Sequence, residues 1–161
     1  MISAEPSSRR LRTLANLVRR WGAPRVLVVG ADALRPPYRG SSFHGVLLDA
    51  PCSGLGTIAR HPDLRWRLSA KDLPPLAERQ TAMLASLAPL VKPGGLLVYA
   101  VCSVEPEEND EVLAPFLARH PEFAPEALPS WARPFAEGPY VRMRPEAHPG
   151  DAFFAARLRR A

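Results

Sequence analysis

The chain is poor in cysteine, lysine and aromatic residues. Its 161 residues include two cysteines, two lysines (Lys71 and Lys92) and 7% aromatics. Two cysteines in a chain of this length do not build a disulfide framework. The expected compartment is therefore a reducing cytoplasm. No apolar run approaches the ~20 residues that a membrane helix needs. Residues 1–20 are polar and basic, with no apolar core ahead of a cleavage site, so no secretory leader is expected. The sequence has no Cys-x-x-Cys pair, and His44, His61, His120 and His148 are scattered without ligand spacing. No metal site is expected.

What is present is ordinary in bulk and biased in detail. Hydrophobic residues make up 47% and charged residues 23%, as in a soluble globular domain. Proline counts 19, more than twice its usual share of ~5%. The basic residues are nineteen arginines beside the two lysines, a preference that reads as genome composition. The net charge of +5 is uneven: residues 1–44 hold eight arginines against Glu5 and Asp32. That excess favours a polyanionic partner.

Hydrophobic periodicity predicts alternating strands and helices. An amphipathic helix is expected over 7–20, capped by Ser7 or Ser8 and stopped by Gly22 and Pro24. Apolar runs of strand length follow at 25–29, 46–48 and 96–101, and a final strand at 151–158. Helices are expected over 72–91, with Leu76, Met83, Leu84, Leu87 and Leu90 on one face, and over 107–119, with acidic residues in its first turn. Residues 34–44 and 50–70 read as loops, 92–95 as a turn, and 121–150 as Pro-rich and poorly periodic. Continuous apolar runs mark strands buried on both faces, as in a parallel sheet, so the class is α/β, doubly wound.

Ligands of such sheets bind at the carboxyl ends of the strands. One strand runs into Asp49-Ala50-Pro51-Cys52-Ser53-Gly54-Leu55-Gly56 and another into Val101-Cys102-Ser103. If the two strands are neighbours, Asp49 and both cysteines converge on one rim. Each feature has an ordinary reading: a cysteine is often a small buried hydrophobe, and a strand-end aspartate often caps a turn. Gly54-Leu55-Gly56 lacks the Lys-Ser/Thr of a phosphate loop.

Four motifs in order carry a resemblance. "LLDAPCSGLGTIARHPDLRW" followed by "LAPLVKPGGLLVYAVCSVEPEENDEVL" is similar to the RsmB/NOP family of S-adenosylmethionine-dependent RNA (cytosine-5) methyltransferases. The Arg-His-Pro-Asp-Leu-Arg-Trp segment resembles the RsmB-like branch, which acts on ribosomal RNA. The tail "GDAFFAARLRR" resembles the family's closing strand, with Ala152 in place of a glycine. The resemblance implies a Rossmann-like class I methyltransferase sheet, with residues 1–161 forming part of the catalytic domain.

The resemblance also implies a chemistry. Cytosine C5 is a poor nucleophile, and a thiolate adding to C6 builds enamine character at C5, which then takes the methyl group. The target base must leave its stack to reach the site. By resemblance Cys102 is the nucleophile, Cys52 assists product release, and Asp49 bonds the cytosine edge and borders the cofactor. DNA cytosine-5 methyltransferases instead use the cysteine of a Pro-Cys pair, here Cys52, so the division of labour between the thiols stays open. A protonated Asp49 would require burial. Val101 stands where the family more often has threonine. Glu5 matches the residue that holds the ribose hydroxyls, and Asp32 the one near the adenine amino group. Pro51 shapes the catalytic loop, and Arg60, Arg65 and Arg67 are candidate RNA contacts.

One departure stands out. The family's Gly-rich loop, Asp-x-Cys-Ala-Ala-Pro-Gly-Gly-Lys-Thr, has no counterpart here. Glu5 corresponds to the end of the family's second strand, so the first β-α unit is expected to be missing. That would leave parallel sheet edges unpaired, and weak or absent S-adenosylmethionine binding by this chain alone. An active methyltransferase completed by a further segment, a cofactor-deficient RNA-binding remnant, and a transfer-RNA methyltransferase are the three readings.

Overall fold

The computed structural model describes residues 1–22, 25–148 and 150–161. The chain divides into two compact units, Met1–Tyr38 and Arg39–Ala161.

The first unit holds β1 (Ile2–Ala4), α1 (Ser8–Arg20) and β2 (Leu27–Val29). The strands pair in parallel, Ile2 opposite Leu27 and Ala4 opposite Val29. Ser7 caps α1, its side chain accepting the Arg10 N–H, while Arg19 and Arg20 occupy the last turn. There their charges complement the helix dipole. Gly22 follows the helix in a left-handed conformation, with φ +62°. The expected stop at Pro24 lies outside the described residues.

The second unit is built on a mixed sheet. β3 (Phe43–Asp49) leads through the short α2 (Leu64–Arg67) and the long α3 (Leu73–Leu87) into β4 (Val91–Val101). α4 (Asp110–Arg119) follows, then β5 (Phe123–Pro125), β6 (Ala136–Glu137), β7 (Tyr140–Met143) and β8 (Phe153–Arg160). The sheet order is β3-β4-β8-β7-β6, with β5 also on β8. Only β3 and β4 run parallel; β8 is antiparallel to β4, β5 and β7. The α/β class stands, but the parallel direction does not extend across the sheet. Apolarity reports burial and carries no information about strand direction. Burial on both faces is also incomplete. Leu97, Tyr99 and Val101 are fully buried, whereas Leu96, Val98 and Ala100 on the other face of β4 are half-buried, and Leu47 of β3 is 67% exposed. β3 is an edge strand, with no partner on its outer side among the described residues.

Local differences have local causes. The expected turn at 92–95 lies inside β4: Phe43 pairs with Val91 and Gly45 already with Leu96, so these residues loop out of the ladder as a bulge. Gly94 takes φ +72°, and a Cβ on Gly95 would stand 2.9 Å from the His44 carbonyl oxygen. The 50–70 loop contains the 3-10 turn Leu55–Thr57 besides α2, and a second 3-10 turn, Ala70–Asp72, starts at its last residue. The 121–150 stretch holds β5, β6 and β7, strands of two to four residues. Such strands are too short for alternation to show.

Buried Leu84, Leu87, Val112, Leu113 and Phe116 of α3 and α4 join Leu97, Tyr99, Val101, Phe154, Ala156 and Leu158 of the sheet in one core. Removing the leucine, valine and phenylalanine side chains from water contributes roughly 1.5–3 kcal/mol each. This core holds the carboxyl ends of β3 and β4 in place.

Candidate active site

β3 and β4 are adjacent, with Asp49 opposite Ala100 and the Ala50 N–H donating to the Ala100 carbonyl at 2.9 Å. Parallel pairing puts both carboxyl ends on one rim. Cys52, on the loop after β3, and Cys102, directly after β4, bring their Sγ atoms to 3.3 Å. Both thiols are free and partly buried. The Cys52 thiol is pushed up to about 12, first by burial and then by the hydrogen bond with, and charge on, Cys102. Cys52 therefore keeps its proton at neutral pH and can donate it to its neighbour.

The loop is fastened by close backbone approach. The Gly56 N–H donates to the Cys102 carbonyl at 3.0 Å, and the Ala152 N–H to the Gly56 carbonyl at 2.8 Å. A Cβ at Gly56 would fall 2.3 Å from the Ala152 oxygen, so no side chain fits. Gly54 holds φ +75° at the entry to the 3-10 turn.

Next to the thiols lies a polar cluster whose members Ser53, Tyr99 and Glu108 fall inside the motif segments, although the motifs assign them no role. Glu108 is fully buried in a 3-10 turn, not in the first turn of the helix that follows. Its Oε1 accepts from the Ser53 N–H at 2.8 Å and from Gln80 Nε2 at 2.9 Å, and its Oε2 from the Ser53 hydroxyl at 2.5 Å. Gln80 Nε2 also donates to the Pro51 carbonyl at 3.0 Å. The buried Tyr99 hydroxyl lies 2.7 Å from the Glu108 carbonyl and 3.0 Å from Gln80 Oε1. Burial and the Glu108 charge push that phenol upward. A buried carboxylate is costly unless donors satisfy it, and here three do. The sequence carries a further signal of it: Gln80 is a polar residue on the apolar face shared by Leu76, Met83 and Leu84.

The other candidates fall in different places. Asp49 is exposed at the carboxyl end of β3. Arg60 is held by an ion pair with Asp151, Nε to Oδ1 at 3.1 Å, and Arg67 pairs with Asp63 at 3.1 Å. Arg65 is exposed on α2. Glu5 and Asp32 belong to the first unit, just beyond the carboxyl ends of β1 and β2. Glu5 Oε1 accepts from the Ser7 N–H and Arg10 Nε, and Asp32 Oδ1 from the Leu34 N–H. Carboxylate acceptors beyond two paired parallel strands suit the donors of a nucleoside, its ribose hydroxyls and amino group.

The chain as a whole is similar to known proteins. Ribosomal RNA small subunit methyltransferase B of Yersinia pseudotuberculosis (serotype O:1b, strain IP 31758) is 35% identical over 159 residues, 98% of this chain and 36% of the relative. The probable ribosomal RNA small subunit methyltransferase B of Bacillus subtilis (strain 168) is 39% identical over 128 residues, 76% of this chain and 29% of its own length. The chain thus spans about a third of the length of these relatives. Among solved structures, PH0851 superposes with a TM-score of 0.90 at 36% identity, over 98% of this chain and 36% of that one. NSun6 from Pyrococcus horikoshii, crystallised with SFG, gives 0.79 at 27% identity, over 99% of this chain and 41% of that one. A SAM-dependent methyltransferase from Aquifex aeolicus, 11% identical with a TM-score of 0.57, shares the Rossmann-like fold. The family model for 16S rRNA methyltransferase RsmB/F matches residues 1–159, and the chain belongs to that family.

Proposed function

We propose that residues 1–161 form part of the catalytic domain of an S-adenosylmethionine-dependent methyltransferase that modifies cytosine C5 in ribosomal RNA, in a reducing cytoplasm. The observation that carries this reading is the pair of thiols 3.3 Å apart at neighbouring strand ends. Direct methylation of an amine or hydroxyl has no use for two adjacent thiols. Activation of a pyrimidine C5 requires a nucleophile at C6 and a route for its departure.

Cys102 adds to C6 and forms the covalent bond to the base. Cys52, which keeps its proton, holds the neighbouring sulfur; when a base takes the C5 proton the C6–S bond breaks, and Cys52 protonates the departing Cys102 thiolate. Asp49, exposed at the same rim, accepts from the cytosine amino edge. Pro51 sets the direction of the loop, its carbonyl held by Gln80. Glu5 and Asp32 would hold the ribose and adenine parts of S-adenosylmethionine. When bound, that cofactor supplies the methyl group as a sulfonium electrophile. Arg65, with Arg60 and Arg67, supplies positive charge to the RNA backbone.

The test is adduct trapping in the full-length protein with RNA carrying 5-fluorocytosine and S-adenosylmethionine. The covalent complex should form in wild type and in Cys52→Ala, and disappear in Cys102→Ala. The reverse pattern exchanges the two thiol roles. No adduct in any of the three proteins overturns the C5 chemistry.

A further inference from the structure

The two cysteines are each followed by a serine, and the two Cys-Ser pairs lie side by side. On one side the Sγ atoms are 3.3 Å apart; on the other the Ser53 and Ser103 hydroxyl oxygens are also 3.3 Å apart. Both serines are buried. Glu108 lies behind them and takes both the N–H and the hydroxyl of Ser53. With its proton committed to Glu108, the Ser53 oxygen is left to accept from the Ser103 hydroxyl. The carboxylate thereby fixes one Cys-Ser pair directly and the other through the serine bridge.

We propose that Glu108 is a positioning residue that sets the spacing of the two thiols, acting through Ser53 and Ser103. The proposal rests on the reading of Cys52 and Cys102 as the reacting pair. Three features separate it from a core-stabilising role. A buried carboxylate is a poor stabiliser, since apolar residues of similar volume often do as well or better. All three donors to it come from groups that bear on the Pro51-Cys52-Ser53 segment: two from Ser53, and one from Gln80, which also holds Pro51. Glu108 touches neither sulfur in any described bond, so its influence on the thiols passes through the serines.

Glu108→Gln keeps the size and one acceptor oxygen but turns a donor toward Ser53, which reverses the direction of the serine bridge. Ser53→Ala keeps the backbone bond to Glu108 and deletes the bridge. Both are tested in the full chain with phenylarsine oxide, which is captured only by two thiols at the right spacing. Capture forms two As–S bonds, and the two thiol protons leave with the arsenic oxygen as water. Circular dichroism first sets a temperature at which every protein is folded. Capture should be about tenfold weaker in both variants. In the full-length protein kcat should also fall about tenfold with KM for RNA little changed, because misplacing a reacting group by a fraction of an ångström carries such costs. Wild-type capture in the folded variants overturns the proposal, whatever their melting temperatures. Weakened capture with undiminished methyl transfer leaves the spacing role standing, and overturns the catalytic reading of the thiols instead.

Discussion

The sulfur atoms of Cys52 and Cys102, fifty residues apart in the chain, sit 3.3 Å from one another at the ends of two parallel strands. Cys52 is the partner whose proton is held tightly, with its thiol raised to about 12. Thiolate is the reactive form, so alkylation by iodoacetamide at pH 8 should be slow at Cys52 compared with a free cysteine. Replacing Cys102 by serine removes the neighbouring thiol's charge, and Cys52 should then react faster while burial still keeps it below a free thiol. Peptide mass spectrometry over time reads both rates. Cys52 labelling as fast as glutathione in wild type would contradict the geometry.

The same thiol makes stability depend on alkaline pH. Its folded value lies above the unfolded value of 9.0. The stabilisation is therefore complete below about pH 9 and is lost as pH rises toward 12. Tyr99 acts in the same direction. Denaturant melts of wild type and Cys52→Ala should diverge little at pH 7. The wild-type curve should lose more stability than the variant between pH 9 and 11. Parallel curves would remove the linkage from Cys52.

Gly56 has no room for a side chain, since its Cβ position is 2.3 Å from the Ala152 oxygen. Gly56→Ala must push the loop away from the closing strand or from Cys102. Overpacking of this kind costs about 1–3 kcal/mol. Chemical denaturation should show that loss, with a simultaneous drop in arsenical capture because the Gly56 N–H holds the Cys102 carbonyl.

Gln80→Leu keeps the volume on the inner face of α3 but deletes donors to Pro51 and Glu108. Leaving a buried acceptor unsatisfied costs about 1–3 kcal/mol. The melting temperature should fall by several degrees. A melting temperature equal to wild type would mean that another donor replaces the amide.

The arginines should separate into two groups. Arg60 pairs with Asp151, whose side chain is only 9% exposed, so Arg60→Ala leaves a largely buried carboxylate alone and should lower stability. Arg65 is exposed on α2, so Arg65→Ala should leave the melting curve in place. It should instead weaken RNA binding across sequences and reduce the salt slope of log Kd by about 1. Binding titrations at three salt concentrations check this.

Much of the site is legible in the order of residues alone. Asp49, Cys52 and Cys102 follow apolar runs of strand length, and neighbouring strand ends in an α/β sheet share a rim. The Ser7 cap, the acidic start of α4 and the apolar face of α3 are short-range signals that depend on residues within a turn or two. Gly54 and Gly56 are visible as glycines, but the Ala152 oxygen that excludes a side chain at Gly56 comes from the far end of the chain. The bulge at 92–95 reads as a plain turn because its partner, His44 to Gly45, is also remote.

The sequence by itself determined the class, the two strand ends that bear the cysteines and the family. Each of these is encoded in contiguous residues: a period, a cap, a motif. Only the tertiary structure decided that β8 runs antiparallel to β4, that the two sulfurs touch, and that Glu108 faces inward to grip Ser53. The physical reason is that a buried carboxylate is tolerated only where donors meet it. Its donors, on residues 53 and 80, are brought together by the packing of a helix against two strands, a meeting that no local pattern records.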